Sequence, residues 1–379
     1  MSVTIGVLRE QHPGETRVAT TPAELKRLSK LGVTFLIEKG AGSNAGFNDE
    51  LYAEQGASLV ERQQALAAKI VLTVQPPAEE DLRQMKNGAL LIGFMNPLGD
   101  AEFMQRLAHL GIDGCAMELI PRISRAQSMD ALSSQANLAG YRAVIEAMHH
   151  YGRVMPLMMT SAGTARPARL VVLGVGVAGL QAIATARRQG AQVEAFDVRS
   201  ETREQVLSLG AKFIDIDLGE EGSGEGGYAQ ELSEAARRRQ QAELTQRLQQ
   251  ADIVITTALI PGKPAPVLVT EEAVKGMRAG SVIVDMAAAN GGNCPLSEAD
   301  QVVTRHGVTL VGITNLPGLL PADASNFYGR NLTHLLELLL NTDDAEPAGT
   351  AQINLDLDDE IIAGCLAVHQ GNVCFGQGG

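Results

Sequence analysis

The chain has 379 residues, enough for two domains or three and for a sizeable core without disulfide or metal staples. Hydrophobic residues make up 45% and charged residues 20%, a globular composition that excludes wholesale disorder. A formal net charge of −13, with no basic run denser than Arg237, Arg238 and Arg239, excludes nucleic acid as a partner and direct adhesion to anionic lipid.

Residues 3–8 read as a strand followed by charge, not as a signal peptide. Thr21 and Glu24 form a capping-box pattern with Pro22 at the first helical position, and Gly32 ends that helix. Strand patterns follow at 33–37, 70–75, 89–95 and 112–117, with helix patterns at 49–55, 78–86 and 100–109. Largely apolar strands alternating with helices predict a parallel sheet covered on both faces. Residues 128–151 read as one long helix, because Met129, Leu132, Leu138, Val144 and Ile145 recur at helical intervals. Residues 156–167 read as a loop.

A second α/β unit then begins, with strands at 169–173, 192–196, 212–215, 253–256, 281–284 and 309–311. A helix at 325–340 returns to the first domain. The tail, 352–375, alternates in short strand patterns around a Gln370-Gly371-Asn372 turn. The predicted fold class is α/β, with two doubly wound Rossmann-like domains, parallel sheets and long joining helices. Residues 1–130 with 325–379 make a discontinuous N-terminal domain, and 131–324 an inserted dinucleotide-binding domain. The apolar uncharged run 170–186 is interrupted by three glycines and does not read as a membrane span. Cys115, Cys294, Cys365 and Cys374 lack metal-ligand spacing and are expected to be buried or idle thiols of a reducing compartment. The seven histidines do not cluster, so no metal site is expected. These features predict a soluble, cytoplasmic chain.

Leu170-Val171-Val172-Leu173 runs into Gly174-Val175-Gly176-Val177-Ala178-Gly179, a G-x-G-x-x-G at a strand-to-helix junction. Gly174 allows a tight turn, Gly176 lets the backbone approach a pyrophosphate, and Gly179 lets helix and strand pack closely. Val177 and Ala178 lie within this turn, and the helix it opens, read as Leu180 to Gln189, offers phosphate free N–H groups and a positive dipole end. The next strand ends in Asp197, 18 residues after Gly179. A carboxylate there accepts a ribose 2′-hydroxyl and repels a 2′-phosphate, which predicts NAD(H) over NADP(H). Val198 and Arg199 adjoin this ribose position. Arg199 is itself read as a surface charge, although an arginine there has the chemistry to welcome a phosphate.

Four stretches carry a close resemblance to a known family. They are Glu15-Thr16-Arg17-Val18-Ala19, the glycine fingerprint, Thr256-Thr257-Ala258-Leu259-Ile260-Pro261-Gly262-Lys263-Pro264-Ala265-Pro266, and Val284-Asp285 with Gly291-Gly292. Over essentially its whole length the chain resembles the alanine dehydrogenases and the NAD(H)-binding component of proton-translocating nicotinamide nucleotide transhydrogenases. Leu8 departs from it, since the family usually has proline there. Where alanine dehydrogenases carry a Lys, a His and an Asp, this chain has Gln75, Asn96 and Ala289. The amino-acid pocket therefore reads as disarmed, and the surviving Arg17 can equally be a structural ion-pair partner.

Hydride exchange between two nicotinamides moves no proton at the reacting carbons and needs only positioning and exclusion of water. Residues 121–134 resemble the transhydrogenase loop that holds the nicotinamide end of NAD(H). Position by position, the resemblance makes Arg122, Gln127, Asp130 and Ser133 orienting residues, with Ile123, Ser124 and Arg125 alongside. The residues alone would read as helix caps and solvated arginines. Residues 217–230 read as a surface loop, and the resemblance makes it a lid with Gly227 and Tyr228 at the nucleotide. Thr257 and Leu259 lie at a strand's carboxyl end, where ligands bind.

The resemblance further implies a homodimer, an NADP(H)-binding partner component and a proton-conducting transmembrane component. The chain would sit on the inner face of the cytoplasmic membrane through those partners. It would be the first piece of a split alpha subunit, or a truncated chain ending in the linker-like Gly376-Gln377-Gly378-Gly379. An alanine-type amino-acid dehydrogenase and a non-catalytic NAD-sensing module are the alternatives.

Overall fold

The computed structural model describes residues 3–217, 233–260, 262–342 and 351–375. The chain divides into two compact units, Met1–Gln135 with Pro317–Gly379, and Ala136–Leu316. Strands β1 (Thr4–Val7), β2 (Thr34–Glu38), β3 (Ser58–Val60), β4 (Ile70–Leu72), β5 (Leu90–Gly93) and β6 (Asp113–Ala116) come first. Helices α1 (Pro22–Leu28), α2 (Asp49–Glu54), α3 (Arg62–Leu66), α4 (Glu79–Leu82) and α5 (Ala101–Leu110) lie among them. Helix α6 (Ala131–His150) is followed by β7 (Met158–Thr160), β8 (Gly163–Ala165), β9 (Arg169–Leu173), α7 (Val177–Arg188), β10 (Gln192–Phe196), α8 (Thr202–Ser208) and β11 (Lys212–Phe213). Then come α9 (Glu234–Leu248), β12 (Ile253–Thr256), α10 (Glu271–Gly276), β13 (Val282–Asp285), β14 (Val302–Arg305) and β15 (Val308–Val311). The chain closes with α11 (Pro321–Leu339), β16 (Leu340–Thr342), β17 (Ala351–Ile353), α12 (Glu360–Cys365), β18 (Leu366–His369) and β19 (Asn372–Val373).

The first unit's sheet has the order β19-β18-β6-β5-β4-β1-β2-β3. Strands β6 to β3 in that order pair in parallel, while β18 and β19 add an antiparallel edge. Alternate residues face opposite layers, as a strand's period of two requires. Ile5, Val7, Ile70, Leu72, Leu90 and Ile92 pack with Leu25 and Leu28 of α1 and Leu332 and Leu336 of α11. Val71 and Leu91 face the other way, with Leu66 of α3, Leu82 of α4 and Phe103 of α5. Burying each such side chain contributes about 1.5–3 kcal/mol. Two covered faces therefore suffice for a chain without tryptophan.

The second unit's sheet runs β11-β10-β9-β12-β13-β15-β14, parallel except for β14 against β15. Leu170 and Val172 pack with Ile183 and Ala186 of α7 and Val144 of α6. Val171 and Leu173 face Leu244 and Leu248 of α9. The strand order reverses between β9 and β12, so their carboxyl ends flank a crevice of the kind where doubly wound sheets bind ligands. The expected class, two Rossmann-like units with mostly parallel sheets, is the fold observed.

Several local expectations need correction. Residues 156–167 are not all loop, because β7 and β8 pair as a hairpin. Its two-residue turn, Ser161-Ala162, lacks the Asn-Gly or Gly-X chemistry that marks such turns. The long helix begins at Ala131, not at residue 128, because Ser124–Met129 forms a 3-10 segment ahead of it. Helix α11 starts at Pro321, where a proline at the first helical position is a legible signal. The tail holds α12 as well as strands, and Asp359 caps it by accepting from Ile361 and Ile362 N–H. Strand β11 spans two residues rather than four.

Candidate dinucleotide-binding site

Strand β9 delivers the chain into a turn that only glycine permits at two points. Gly174 has φ +96, the left-handed region, and its N–H donates to Phe196 O at 2.9 Å. A Cβ on Gly179 would lie 1.9 Å from Gly174 O, so helix and turn touch through bare backbone. Helix α6 also approaches here, since a Cβ on Gly140 would lie 2.1 Å from Ala178 O. Sequence patterning does not single out Gly140, one small residue in a helical run.

Gly176 differs from its neighbours. Among the described residues, a Cβ there would meet nothing within 4 Å. It is the N-cap of α7, and no side chain caps that helix. The 12-residue helix thus points its dipole and the N–H groups of Val177 and Ala178 at space that no described residue fills, a fit for a pyrophosphate.

Asp197 follows β10, and its carboxylate is fully engaged. Oδ2 accepts from Val175 N–H at 2.6 Å and from Arg199 Nη2 at 2.7 Å. Oδ1 accepts from Arg199 N–H at 2.9 Å and Arg199 Nε at 2.8 Å. The two side chains are 4% and 14% exposed. Arg199 is therefore not the surface charge that the sequence suggests. It is a largely buried fork closed on the Asp197 carboxylate.

Thr257, expected at the ligand, donates its hydroxyl to Gly174 O at 2.9 Å and so braces the glycine turn. Leu259 is exposed just beyond it. That segment is tied down by Asn293, which donates to Ala258 O at 2.9 Å and to Pro266 O at 2.8 Å. Asn293 is positioned in turn by buried Asp285, which accepts from Asn293 N–H, Cys294 N–H and Thr256 Oγ1. The sequence marks Asp285 only as a member of a family motif, because these partners stand eight or more positions away in the chain. Gly227 and Tyr228 lie outside the described residues.

In the first unit, Arg122, Ser124 and Gln127 are exposed, and Ile123 packs partly into the core. Arg125 closes a two-bond fork on Asp359, at 2.7 and 2.9 Å. These bonds hold the Asp359 carboxyl down at about 2. Asp130 accepts from Ser133 N–H at 2.9 Å and Ser133 Oγ at 2.5 Å, so it caps α6 while keeping Ser133 beside it.

The carboxyl edge of the first sheet is rich in charge but closed on itself. Arg17, 5% exposed, forks onto Glu15 at 2.8 and 2.7 Å and donates to Gln135 Oε1 at 2.8 Å. Gln75 Nε2 completes the cluster by donating to Glu15 Oε2 at 2.9 Å. Burial opposes ionisation of Glu15, but the bonds from Arg17 outweigh it and its pKa lies below the ordinary value. Glu10 accepts from Val74 N–H at 2.6 Å, and burial pushes its carboxyl up to about 7. Glu118 accepts from the N–H groups of Met95 and Asn96, and burial raises it too. Asn96 adopts φ +50. In the second unit Ala289 is exposed.

Two Rossmann-like units, one with an uncapped helix over a glycine turn and an acid after the second strand, define a dinucleotide-binding α/β protein. Residues 6–139 match the family described as "Alanine dehydrogenase/PNT, N-terminal domain" and residues 143–376 its C-terminal domain. The chain belongs to the alanine dehydrogenase/PNT family. It is 45% identical over 368 residues to the protein named NAD(P) transhydrogenase subunit alpha of Haemophilus influenzae, covering 97% of this chain and 71% of that one. In Rhodospirillum rubrum the matching protein is named as the first section of such an alpha subunit; the two are 47% identical over 378 residues, 97% of each chain. Among solved structures, a transhydrogenase from Sinorhizobium meliloti matches with TM-score 0.84 and 41% identity over 98% of both chains. An L-alanine dehydrogenase matches with TM-score 0.80 and 26% identity, over 98% of this chain and 96% of that one. The expected family is thereby borne out. Among the described residues, no helix is long and apolar enough to cross a membrane.

Proposed function

We propose that this chain is the NAD(H)-binding component of a proton-translocating transhydrogenase. It holds NADH while hydride passes to NADP⁺ on a partner component, and transmembrane partners couple that transfer to proton movement. Arg17 carries this reading over an amino-acid dehydrogenase. Amino-acid oxidation needs a general base and a free cation for the substrate carboxylate. Here the retained arginine is buried and closed on Glu15, and Gln75 and Asn96 stand where a Lys and a His would be.

The glycine turn, Gly174, Gly176, Val177, Ala178 and Gly179, holds the pyrophosphate, and the room over Gly176 supports this. Asp197, Val198 and Arg199 meet the adenosine ribose. Arg122, Gln127, Asp130 and Ser133 orient the nicotinamide, with Ile123, Ser124 and Arg125 shaping their loop. Thr257 and Leu259 border the site, and Gly227 and Tyr228 close over it. When bound, the dinucleotide supplies the hydride; these residues fix its pose and exclude water.

The assembly is a homodimer, peripheral on the inner face of the cytoplasmic membrane through its partners. The β7–β8 hairpin supports the dimer, because Met159 is 75% and Leu157 57% exposed, apolar surface that association would cover.

The test is hydride transfer from NADH to NADP⁺ by the purified chain, alone and with an NADP(H)-binding component, beside NAD⁺ with L-alanine. Transfer only with the partner, and none from alanine, is the expected result. NADH formation from alanine would replace this reading with the dehydrogenase. Tight NADH binding without transfer in any reconstitution would replace it with a sensing module.

A further inference from the structure

Asp130 is the single residue between the 3-10 segment Ser124–Met129 and α6. A 3-10 segment closes its hydrogen bonds poorly, so the pose of Asp130 and Ser133 depends on what holds the two sides of that joint. Asn331 of α11 holds both. Its Nδ2 donates to Ser128 O at 2.8 Å, before the joint, and its Oδ1 accepts from Ser134 Oγ at 2.7 Å, after it. A carbonyl can only accept, so the Ser128 oxygen fixes which end of the amide faces it. Asn331 is 7% exposed, and Leu332, Leu335 and Leu336 beside it are sealed in the core of the first unit. Two further ties reach the same loop from α12. Arg125 forks onto Asp359, the N-cap of that helix, and a Cβ on Gly364 would lie 3.3 Å from Pro121 Cδ. All three anchors lie beyond Leu316, where the sequence of the second unit ends.

We propose that Asn331 is a positioning residue for hydride transfer, which fixes Asp130 and Ser133 by clamping Ser128 and Ser134 across the joint between the 3-10 segment and α6. The proposal rests on the reading that Asp130 and Ser133 orient the nicotinamide. Reacting groups must be held within about 0.5 Å of the productive geometry, and a misplacement of about 1 Å costs roughly a hundredfold in rate. Losing the amide takes the donor from the Ser128 carbonyl and the acceptor from the Ser134 hydroxyl, and the joint relaxes. The glycine turn, which holds the pyrophosphate on that same reading, is untouched. Rate and NADH affinity therefore separate.

The test is single-turnover hydride transfer from NADH to NADP⁺ at saturating NADP(H)-binding component, with NADH affinity titrated by nucleotide fluorescence. It compares the unaltered chain, Asn331→Leu, Asn331→Asp and, as a stability control, Leu336→Val. Asn331→Leu removes both bonds and should slow transfer roughly tenfold to a hundredfold while NADH affinity holds. Asn331→Asp keeps the shape and the acceptor for Ser134, and regains a donor to Ser128 only when protonated. Its rate relative to the unaltered chain should therefore rise as pH falls. Leu336→Val should lower thermal stability without slowing transfer at a temperature where every variant is folded. Unchanged transfer in Asn331→Leu, an equal loss in Leu336→Val, or NADH affinity that falls in step with the rate overturns the proposal. If circular dichroism shows that Asn331→Leu does not fold, the pH dependence of Asn331→Asp decides, and a flat ratio overturns the clamp. An unaltered chain that transfers no hydride with the partner present overturns the functional reading, and the clamp falls with it. Transfer by the unaltered chain with no loss in the variants overturns the clamp alone.

Discussion

The two parallel sheets end on carboxyl edges of opposite character. In the first unit, loops after β1, β4 and β6 bring Glu10, Glu15, Arg17, Gln75 and Glu118 to the edge, and each bonds another of them or a nearby backbone N–H group. In the second unit, among the described residues, the edge above β9 leaves a helix N-terminus without a side-chain cap and the space over Gly176 empty of side chains. Both units obey the same topological rule for where ligands bind. What separates them is whether the polar groups at the edge are already engaged. Charge density alone would point to the first unit, whose charges already have partners.

That comparison can be broken at its strongest point first. Arg17→Ala leaves the Glu15 carboxylate buried and without its main partner. It should cost about 3–5 kcal/mol in urea unfolding and leave NADH affinity unchanged; a loss of NADH affinity at constant fold would bring the first edge into the site. Gly179→Ala drives a Cβ into Gly174 O. It should cost about 3 kcal/mol, the upper range for overpacking, and weaken NADH binding with it. Gly176→Val separates binding from folding, because its added atoms enter open space at an ordinary backbone conformation. Thermal stability should hold while NADH affinity falls roughly a hundredfold, the loss of about two charge-assisted bonds. An unchanged affinity would mean that the pyrophosphate lies elsewhere.

The smallest effect tests the closed edge by pH. Glu10 ionises at about 7 in the folded protein against an ordinary 4.5. Between those values the native state holds a proton that the unfolded chain has released. Its contribution therefore makes stability fall as pH rises from 4.5 to 7. Glu10→Gln should flatten that fall by about 1 kcal/mol, allowing for partial exposure. Melting curves of both proteins across the interval would show it, and parallel curves would mean that Glu10 is not held protonated.

The alternation of apolar strands and helices is legible in the sequence because both faces of each sheet are covered, as Leu170 to Leu173 illustrate. The glycine turn is legible because its spacing is local. What escapes depends on partners the sequence does not display. Arg199 reads as exposed, yet it forks onto Asp197. Arg125 reads as solvated, but Asp359 stands 234 positions away. Thr257 reads as a ligand contact, and its hydroxyl braces Gly174 across 83 residues. The β7–β8 hairpin lacks turn chemistry, and α12 hides in a short tail. Side-chain pairing across long separations is where periodicity and motif spacing lose their hold.

The most direct test of the contrast between the two edges is amide hydrogen exchange with and without NADH. Slowed exchange should be confined, within these edges, to Gly174 through Gly179 and Asp197 through Arg199. Thr73 through Gln75 and Leu8 through Glu10 should be unaffected. Protection at the first edge with none at the glycine turn would contradict the account and move the nucleotide to the unit whose edge is closed.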